Sequence, residues 1–493
     1  MLKKVLFVHI FIVFLKVFYT LADITDLSTE EAQYWLWSKN LDLSYYSKPP
    51  LIAYMNAIST SILGDTEIGV RINAILLGFG IGVLVFFITR ELFRDEKLAF
   101  FSSVFITAVP AYQIGTYLFL TDAPLGFFWV LTVYLFYLAV RDNRPSLWIG
   151  AGISAGLGFL SKFPIVLFLP PAVIYLFIFH RRIFREKWFY ISIGIASLFT
   201  LPVIIWNFQH DFVTFKHVFS LGGAGVKEIS MEKSLRYIGE YIITQIGINS
   251  VFLFPFFAYG IYMGFRERKR EQVFYLWIFP VFVFLLFLYL ARKKHIEANW
   301  PAFGYATLYI LAAYYVYKRR WFKGFLVGFL LSVWSILTLF YPFYLDKIGL
   351  GKLYPPKVDP LHRVVGWEGL GRKVSEIIKE LGTDKYFIFS ESYHVASELA
   401  FYTEGQPQTY CVVINRRMNQ FDLWPSIKQF EGKGYTGIYV SRWGLPKKVR
   451  ESFRRLKAHY TYDIIYRGWK YRTYHIYVLE DLIELHQEKI LRY

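Results

Sequence analysis

Long apolar runs dominate the first two-thirds of the chain and stop abruptly near Tyr344. Eleven such runs lie at 5–22, 67–89, 97–115, 123–140, 146–161, 163–179, 188–206, 238–264, 272–291, 299–317 and 323–343. As helices, segments of about 20 residues cross a hydrocarbon core of about 30 Å. Helices also satisfy their own backbone polar groups there. The pattern therefore predicts a polytopic α-helical membrane domain over 1–345, with a polar external first loop at 23–66. Beyond 346 the pattern becomes strand-like at Tyr386–Ser390, Gly437–Val440 and His475–Leu479, alternating with helical stretches such as Gly371–Leu381. That tail, 346–493, reads as a soluble α/β domain.

Charge tests the count. With the N-terminus inside, every inside segment is basic: Arg90/Arg94/Lys97, Arg141/Arg144, Arg181/Arg182/Arg185/Lys187, Arg266/Arg268/Lys269/Arg270 and Lys318/Arg319/Arg320/Lys323. This follows the positive-inside rule, provided 146–179 is split into two spans near Lys162. The tail then lies outside, which in a bacterium is the periplasm. The basic N-terminus without a small-x-small cleavage site reads as an uncleaved first span. The net charge of +18 is thereby explained by inside loops and anionic lipid, with no nucleic-acid partner. The single cysteine, Cys411, excludes an intramolecular disulfide and a C-x-x-C metal site. No cofactor is called for, no metal ligand cluster has convincing spacing, and there is no phosphate loop or dinucleotide fingerprint. Gly222-Gly223-Ala224-Gly225 reads as a flexible external loop.

A few charges break the charge pattern. Lys48, Lys162 and the cluster Arg292–Lys293–Lys294–His295 all fall at the external membrane face. Each could simply snorkel at a helix end. Together they would suit a phosphate at headgroup level. The acidic complement is Glu30 and Glu31 in LSTEEAQYWLWS and Asp122 in FLTDAPLGFFW. Both settings also suit helix capping, by Ser28 or Thr29 and by Thr121-Asp122 before Pro124. The other use of such carboxylates is general base catalysis. Tyr34, Tyr45 and Tyr46 could line a sugar site or form an interfacial aromatic belt.

The stretch from Leu27 to Arg71, beginning LSTEEAQYWLWSKNLDLSYYSKPPLIAY, resembles the first external loop of bacterial GT-C glycosyltransferases. That superfamily includes protein O-mannosyltransferase-like enzymes and the lipid A aminoarabinose transferase. LTDAPLGFFW, GLGFLSKFPIVLF, HIEANWPAFGY, SELAFYTEGQPQTY and RRMNQFDLWP are similar to its pattern too. The resemblance implies a GT-C bundle under a periplasmic domain. It implies transfer of a sugar, with inversion, from a polyprenyl-phosphate donor to a lipid A, other glycolipid or glycan, or protein acceptor at the inner membrane. It implies Glu30, Glu31 and Asp122 as catalytic residues and Lys48 and Lys162 as phosphate contacts; Arg292, Lys293 and His295 are added by their place on the same face. Two positions depart from the pattern. Glu30 stands where the family usually has Asp, and Gln33 where the aminoarabinose transferases have Arg. The competing reading is a lipid-linked sugar flippase or transporter, which would place ionisable groups near the bilayer midplane.

Overall fold

The computed structural model describes residues 1–222 and 229–490. Gly223-Ala224-Gly225, read above as part of a flexible loop, lie outside them. The membrane part opens with α1 (Leu2–Leu21), α2 (Thr29–Ser38), α3 (Leu51–Leu63) and α4 (Glu67–Phe93). α5 (Glu96–Phe105), α6 (Pro110–Gly115), α7 (Asp122–Asp142), α8 (Pro145–Ser161) and α9 (Leu169–Phe179) follow. Then come α10 (Lys187–Leu198), α11 (Leu201–Gln209), α12 (Val213–Gly222), α13 (Met231–Ile248), α14 (Phe254–Arg266), α15 (Glu271–Ala291), α16 (Ala306–Arg319) and α17 (Phe322–Phe340).

Six segments among the described residues are long and apolar enough to span by themselves: α1, α4, α7, α10–α11 taken together, α15 and α17. The other expected spans are shorter or broken. The run 97–115 bends through a 3-10 turn, Ile106–Ala108, before Pro110. The run 299–317 becomes regular only at Ala306. The run 238–264, expected as one span, is two helices: α13 ends at Ile248, and Ser250 at φ +77° interrupts the helix before α14. At this polar Asn249-Ser250 pair inside an otherwise apolar stretch, the Asn249 side chain takes a backbone group, its Nδ2 donating to Gln245 O at 2.9 Å.

The split at Lys162 is real. α8 ends at Ser161, Lys162 is extended, and a 3-10 turn over Phe163–Phe168 leads into α9. Lys162 meets Asp122 at the start of α7, whereas Tyr175 and His180 at the far end of α9 both meet Glu271. α8 and α9 therefore run in opposite directions across the bundle. The basic segments gather at the Glu271 end, where Arg141 pairs with Glu91, and Lys318 and Arg270 with Glu267.

After α18 (Phe343–Lys347), the tail builds α19 (Trp367–Leu381), β1 (Tyr386–Ser390), α20 (Tyr393–Tyr402), β2 (Thr409–Cys411), β3 (Thr436–Ser441), α21 (Lys447–Glu451), β4 (Phe453–Tyr466) and β5 (Trp469–Leu482). The sheet order is β2-β1-β3-β5-β4, with β2, β1 and β3 parallel and β3-β5-β4 antiparallel. β1, β3 and the centre of β5 are the strand-like runs of the sequence. β4 alternates exposed and half-exposed positions, and so carries no apolar signal.

The first loop joins the two parts. α2 packs on α20, and Trp35 meets Phe401 edge-on at 4.9 Å. Asp26 accepts hydrogen bonds from the backbone N–H groups of Trp367 (2.6 Å) and Glu368 (3.4 Å), at the positive end of α19. Tyr46 N–H donates to Gln420 Oε1 at 2.7 Å. Apolar burial and paired polar groups together fix the sheet domain over one end of the bundle.

Candidate active site

Between the first loop, the bundle end and the sheet domain lies a cavity of about 1100 Å³. α2 aims Glu30 into it. Ser28 and Glu31 form a reciprocal capping box, so the first turn is rigid and Glu30 projects from its open side. Among the described residues Glu30 has no cation partner; its carboxylate accepts from the Thr29 hydroxyl at 3.1 Å. A carboxylate left free of ion pairs beside a large cavity is chemically available.

Glu31 lies elsewhere. It is fully buried and does not line the cavity. It accepts from Arg71 Nε (3.2 Å) and Nη2 (3.3 Å), Phe119 N (2.9 Å) and Ser28 N (2.9 Å). With both oxygens occupied, its role is to lock α2 to α4 and to the turn segment before α7. Arg71 extends the lock to Thr25 O, Asp26 O and the Tyr117 hydroxyl.

Asp122 faces the cavity but is held: Lys162 Nζ donates at 2.8 Å and Asn299 Nδ2 at 3.1 Å. Lys48 follows the Tyr45–Tyr46 turn, whose backbone is fixed by Tyr45 N–H donating to Lys48 O at 3.1 Å. Its ammonium makes no ion pair among the described residues and is pushed down to about 8, chiefly by burial and then by Lys162 and Arg417, against Asp122 and Glu30. Lys48, Lys162, Asp122, Glu30 and Arg417 thus form one electrostatic cluster.

Tyr34 and Tyr46 line the cavity; burial raises Tyr34 well above the usual phenol range. Tyr45 does not line it. Its ring stacks on Trp37 at 4.4 Å and its hydroxyl donates to Trp37 O and Asn40 O. Arg292, Lys293 and His295 also stand away from it on the exposed surface, and His295 Nδ1 pairs with Glu240 at 3.2 Å. It is the following segment, through Glu297, Asn299 and Trp300, that reaches the wall.

The sheet domain supplies residues that sequence reasoning did not single out: Arg363, Tyr393, His394, Arg417, Arg442 and Arg472. Arg417 lies in RRMNQFDLWP, so that segment carried a signal. Arg472 lies in β5, opposite Ile464 of β4, and carried none. His217 on α12 also faces the cavity; burial, Arg417 and Lys48 lower it to about 4, which keeps it neutral. No group of three or more His, Cys, Asp or Glu stands at metal-binding distance among the described residues.

Comparison with known proteins agrees with this architecture. Residues 47–206 match the family model described as dolichyl-phosphate-mannose-protein mannosyltransferase. The lipid A galacturonosyltransferase of Rhizobium johnstonii is 27% identical over 383 residues, covering 77% of this chain and 78% of that protein. The undecaprenyl phosphate-alpha-4-amino-4-deoxy-L-arabinose arabinosyl transferase 2 of Proteus mirabilis is 24% identical, covering 59% of this chain and 53% of its own length. The crystal structure of ArnT from Cupriavidus metallidurans bound to undecaprenyl phosphate superposes with a TM-score of 0.66 over 96% of this chain and 97% of that one, at 13% identity. The superposition shows the fold of a GT-C membrane glycosyltransferase, and the sequence is similar to glycosyltransferases of that type. Within that class the chain is a relative of the protein mannosyltransferase-like and lipid A glycosyltransferases.

Proposed function

We propose that the protein transfers a sugar from a polyprenyl-phosphate-linked donor to a lipid-borne acceptor at the periplasmic face of the bacterial inner membrane. The observation that carries this reading is one cavity, at the end of the bundle, lined by both Glu30 and Lys48, neither of which makes an ion pair among the described residues. The activities of the two relatives support it: one acts on lipid A and the other uses undecaprenyl phosphate as its sugar carrier.

In the proposed reaction Glu30 takes the proton of an acceptor hydroxyl as that oxygen attacks the anomeric carbon. The anomeric carbon–oxygen bond to the phosphate breaks, and its electron pair leaves on the phosphate oxygen. Attack opposite the leaving group inverts the anomeric centre. Lys48 and Lys162 hold the phosphate as its charge grows, in a site partly screened from water, where fixed charge has most effect. Asp122 orients Lys162, and Glu31 positions Glu30 through the rigid first turn of α2. Residues 1–345 form the transferase domain on this reading, and 346–493 the periplasmic domain that roofs the site.

The test is purified protein in lipid nanodiscs with a pool of polyprenyl-phosphate sugars and candidate lipid acceptors, read by mass spectrometry. Covalent sugar on an acceptor, with free polyprenyl phosphate released in equal amount, is the expected result. Movement of the intact donor across the bilayer without covalent transfer would instead make the protein a flippase.

A further inference from the structure

The sheet domain meets the cavity with the carboxyl ends of its parallel strands. Its order β2-β1-β3-β5-β4 puts β1 between two parallel neighbours. From β1 the chain leaves through α20 to β2 on one side; from β3 it leaves through α21 to β4 and β5 on the other. Adjacent parallel strands whose exits diverge leave a crevice at their carboxyl ends, the place where open α/β sheets bind ligands. Here those ends are Ser390 and Ser441. The residues that follow them, Glu391 and Ser392 on one side and Arg442 and Trp443 on the other, all line the cavity.

Two of these residues have properties that the fold itself does not use. Trp443 is 80% exposed, whereas the other two indoles of the cavity wall, Trp300 and Trp367, are half-buried and buried. One face of the Trp443 ring carries the Arg442 guanidinium, 4.8 Å from the ring centroid. The backbone holds the indole out: Trp443 N–H donates to the Ser441 hydroxyl at 3.0 Å, and Gly444, at φ +97°, turns the chain back toward α21.

Glu391 is tied to the same serine. The Ser441 hydroxyl donates to Glu391 Oε1 at 2.8 Å, the Tyr439 hydroxyl to Oε2 at 2.6 Å and the Ser390 hydroxyl to Oε2 at 3.4 Å. Neutral hydroxyls thus aim this carboxylate, and no cation pairs with it among the described residues. Its two oxygens offer about four lone-pair positions, so accepting capacity is left over. Through Ser441 the carboxylate and the indole are one hydrogen-bonded unit across the ends of β1 and β3.

A ligand that uses both must give hydroxyl or amine donors to Glu391 and a flat apolar face to Trp443. An anion is repelled by Glu391, and an acyl chain has no donor. A pyranose ring has hydroxyls around its edge and a face of C–H bonds, whose partial positive charge meets the negative face of the indole. We infer that Trp443 and Glu391 form a sugar-ring subsite on the sheet domain, Trp443 stacking on the ring and Glu391 accepting from one of its hydroxyls. The inference rests on the transferase reading, which brings a donor sugar to this cavity and, with a glycolipid acceptor, a second one.

The test uses full-length protein in neutral-lipid nanodiscs and three probes. Undecaprenyl phosphate is the sugar-free control. A pool of undecaprenyl-phosphate sugars is the donor arm. The glucosamine disaccharide of lipid A, stripped of phosphates and acyl chains, is the acceptor arm. Affinity is measured for each, with saturation-transfer NMR on the sugar-ring protons. Wild type is expected to contact the sugar ring in at least one arm, and the arm that binds tells whose sugar the subsite holds. In that arm Trp443→Ala should weaken sugar binding about fivefold and Trp443→Phe should keep part of it. Glu391→Gln should weaken it by a similar factor. Undecaprenyl phosphate alone should bind wild type and all three variants equally. The exposure of Trp443 lets its variants fold, so they carry the comparison if Glu391→Gln does not. The proposal is overturned if neither arm shows sugar-ring contact, or if folded Trp443→Ala binds sugar as wild type does. It is equally overturned if Trp443→Ala loses undecaprenyl phosphate itself, which would assign the indole to the carrier. Failure of the transferase reading would show separately, as sugar bound in a Trp443-dependent way with no covalent transfer to any acceptor.

Discussion

Two adjacent glutamates on one helical turn have opposite fates. Glu30 faces the cavity; Glu31, one position on, is rotated about 100° away into a buried lock with Arg71. Removing Glu31 leaves the buried Arg71 with Glu67 alone as acidic partner, at 3.6 Å, at a cost of about 3 kcal/mol. Glu31→Gln is therefore expected to lower the melting temperature sharply in a detergent thermal-shift assay, with activity lost along with folded protein. Glu30→Gln should leave the melting temperature unchanged. Equal melting temperatures for the two variants would contradict the lock. Lys48 makes a second residue-scale prediction. Its ammonium titrates near 8 in the unliganded protein, below the usual lysine value. It is charged below that pH and neutral above it. Affinity for undecaprenyl phosphate should fall as pH rises through about 8, and Lys48→Arg, which stays charged, should flatten the profile. A wild-type profile flat from pH 7 to 9.5 would remove Lys48 from the phosphate site.

Elements were legible where one interaction dominates. Apolar runs marked the spans, and Ser28 or Thr29 before Glu30–Glu31 marked the start of α2. The pair Asn249-Ser250 was not read as a break, since two polar residues are outweighed by the apolar stretch around them. The aromatics of the first loop were ambiguous for a related reason. Tyr34 and Tyr46 line the cavity while Tyr45, between Trp37 and the backbone, is core. Which side a loop aromatic faces is decided by what lies above it, here α20 of a domain 350 residues on. Arg472 was invisible because it becomes a cavity residue only when β5 is laid over the first loop. The α2–α20 contact should consequently be an energetic hinge point between the two parts. Trp35→Ala removes a fully buried indole that also donates to Asp65 at 2.7 Å, a loss of about 3–5 kcal/mol. Phe401→Ala should couple to it in a double-mutant cycle of thermal stability, and strict additivity would show that the two rings do not share an interface.

At the scale of the molecule, sidedness organises everything else. Basic segments collect at the Glu271 end of the bundle, and the cavity and sheet domain occupy the other. On the positive-inside rule the first end is expected in the cytoplasm. The lone cysteine makes this measurable: Cys411 is recessed, and burial raises its thiol to about 12, so it reacts poorly and can be replaced. In a Cys411→Ser background, a membrane-impermeant maleimide applied to spheroplasts should label Lys433→Cys on the sheet domain and spare Lys269→Cys between α14 and α15. The reverse pattern would invert the topology.

The central claim is that Glu30 acts as the base in sugar transfer at this cavity. Single-turnover transfer by Glu30→Gln at saturating lipid-linked donor tests it most directly, with undecaprenyl phosphate affinity measured on the same sample. The account predicts a rate lower by about 10²–10⁴-fold, the usual contribution of a positioned base, with donor affinity and melting temperature preserved. Transfer at the wild-type rate by folded Glu30→Gln would contradict it.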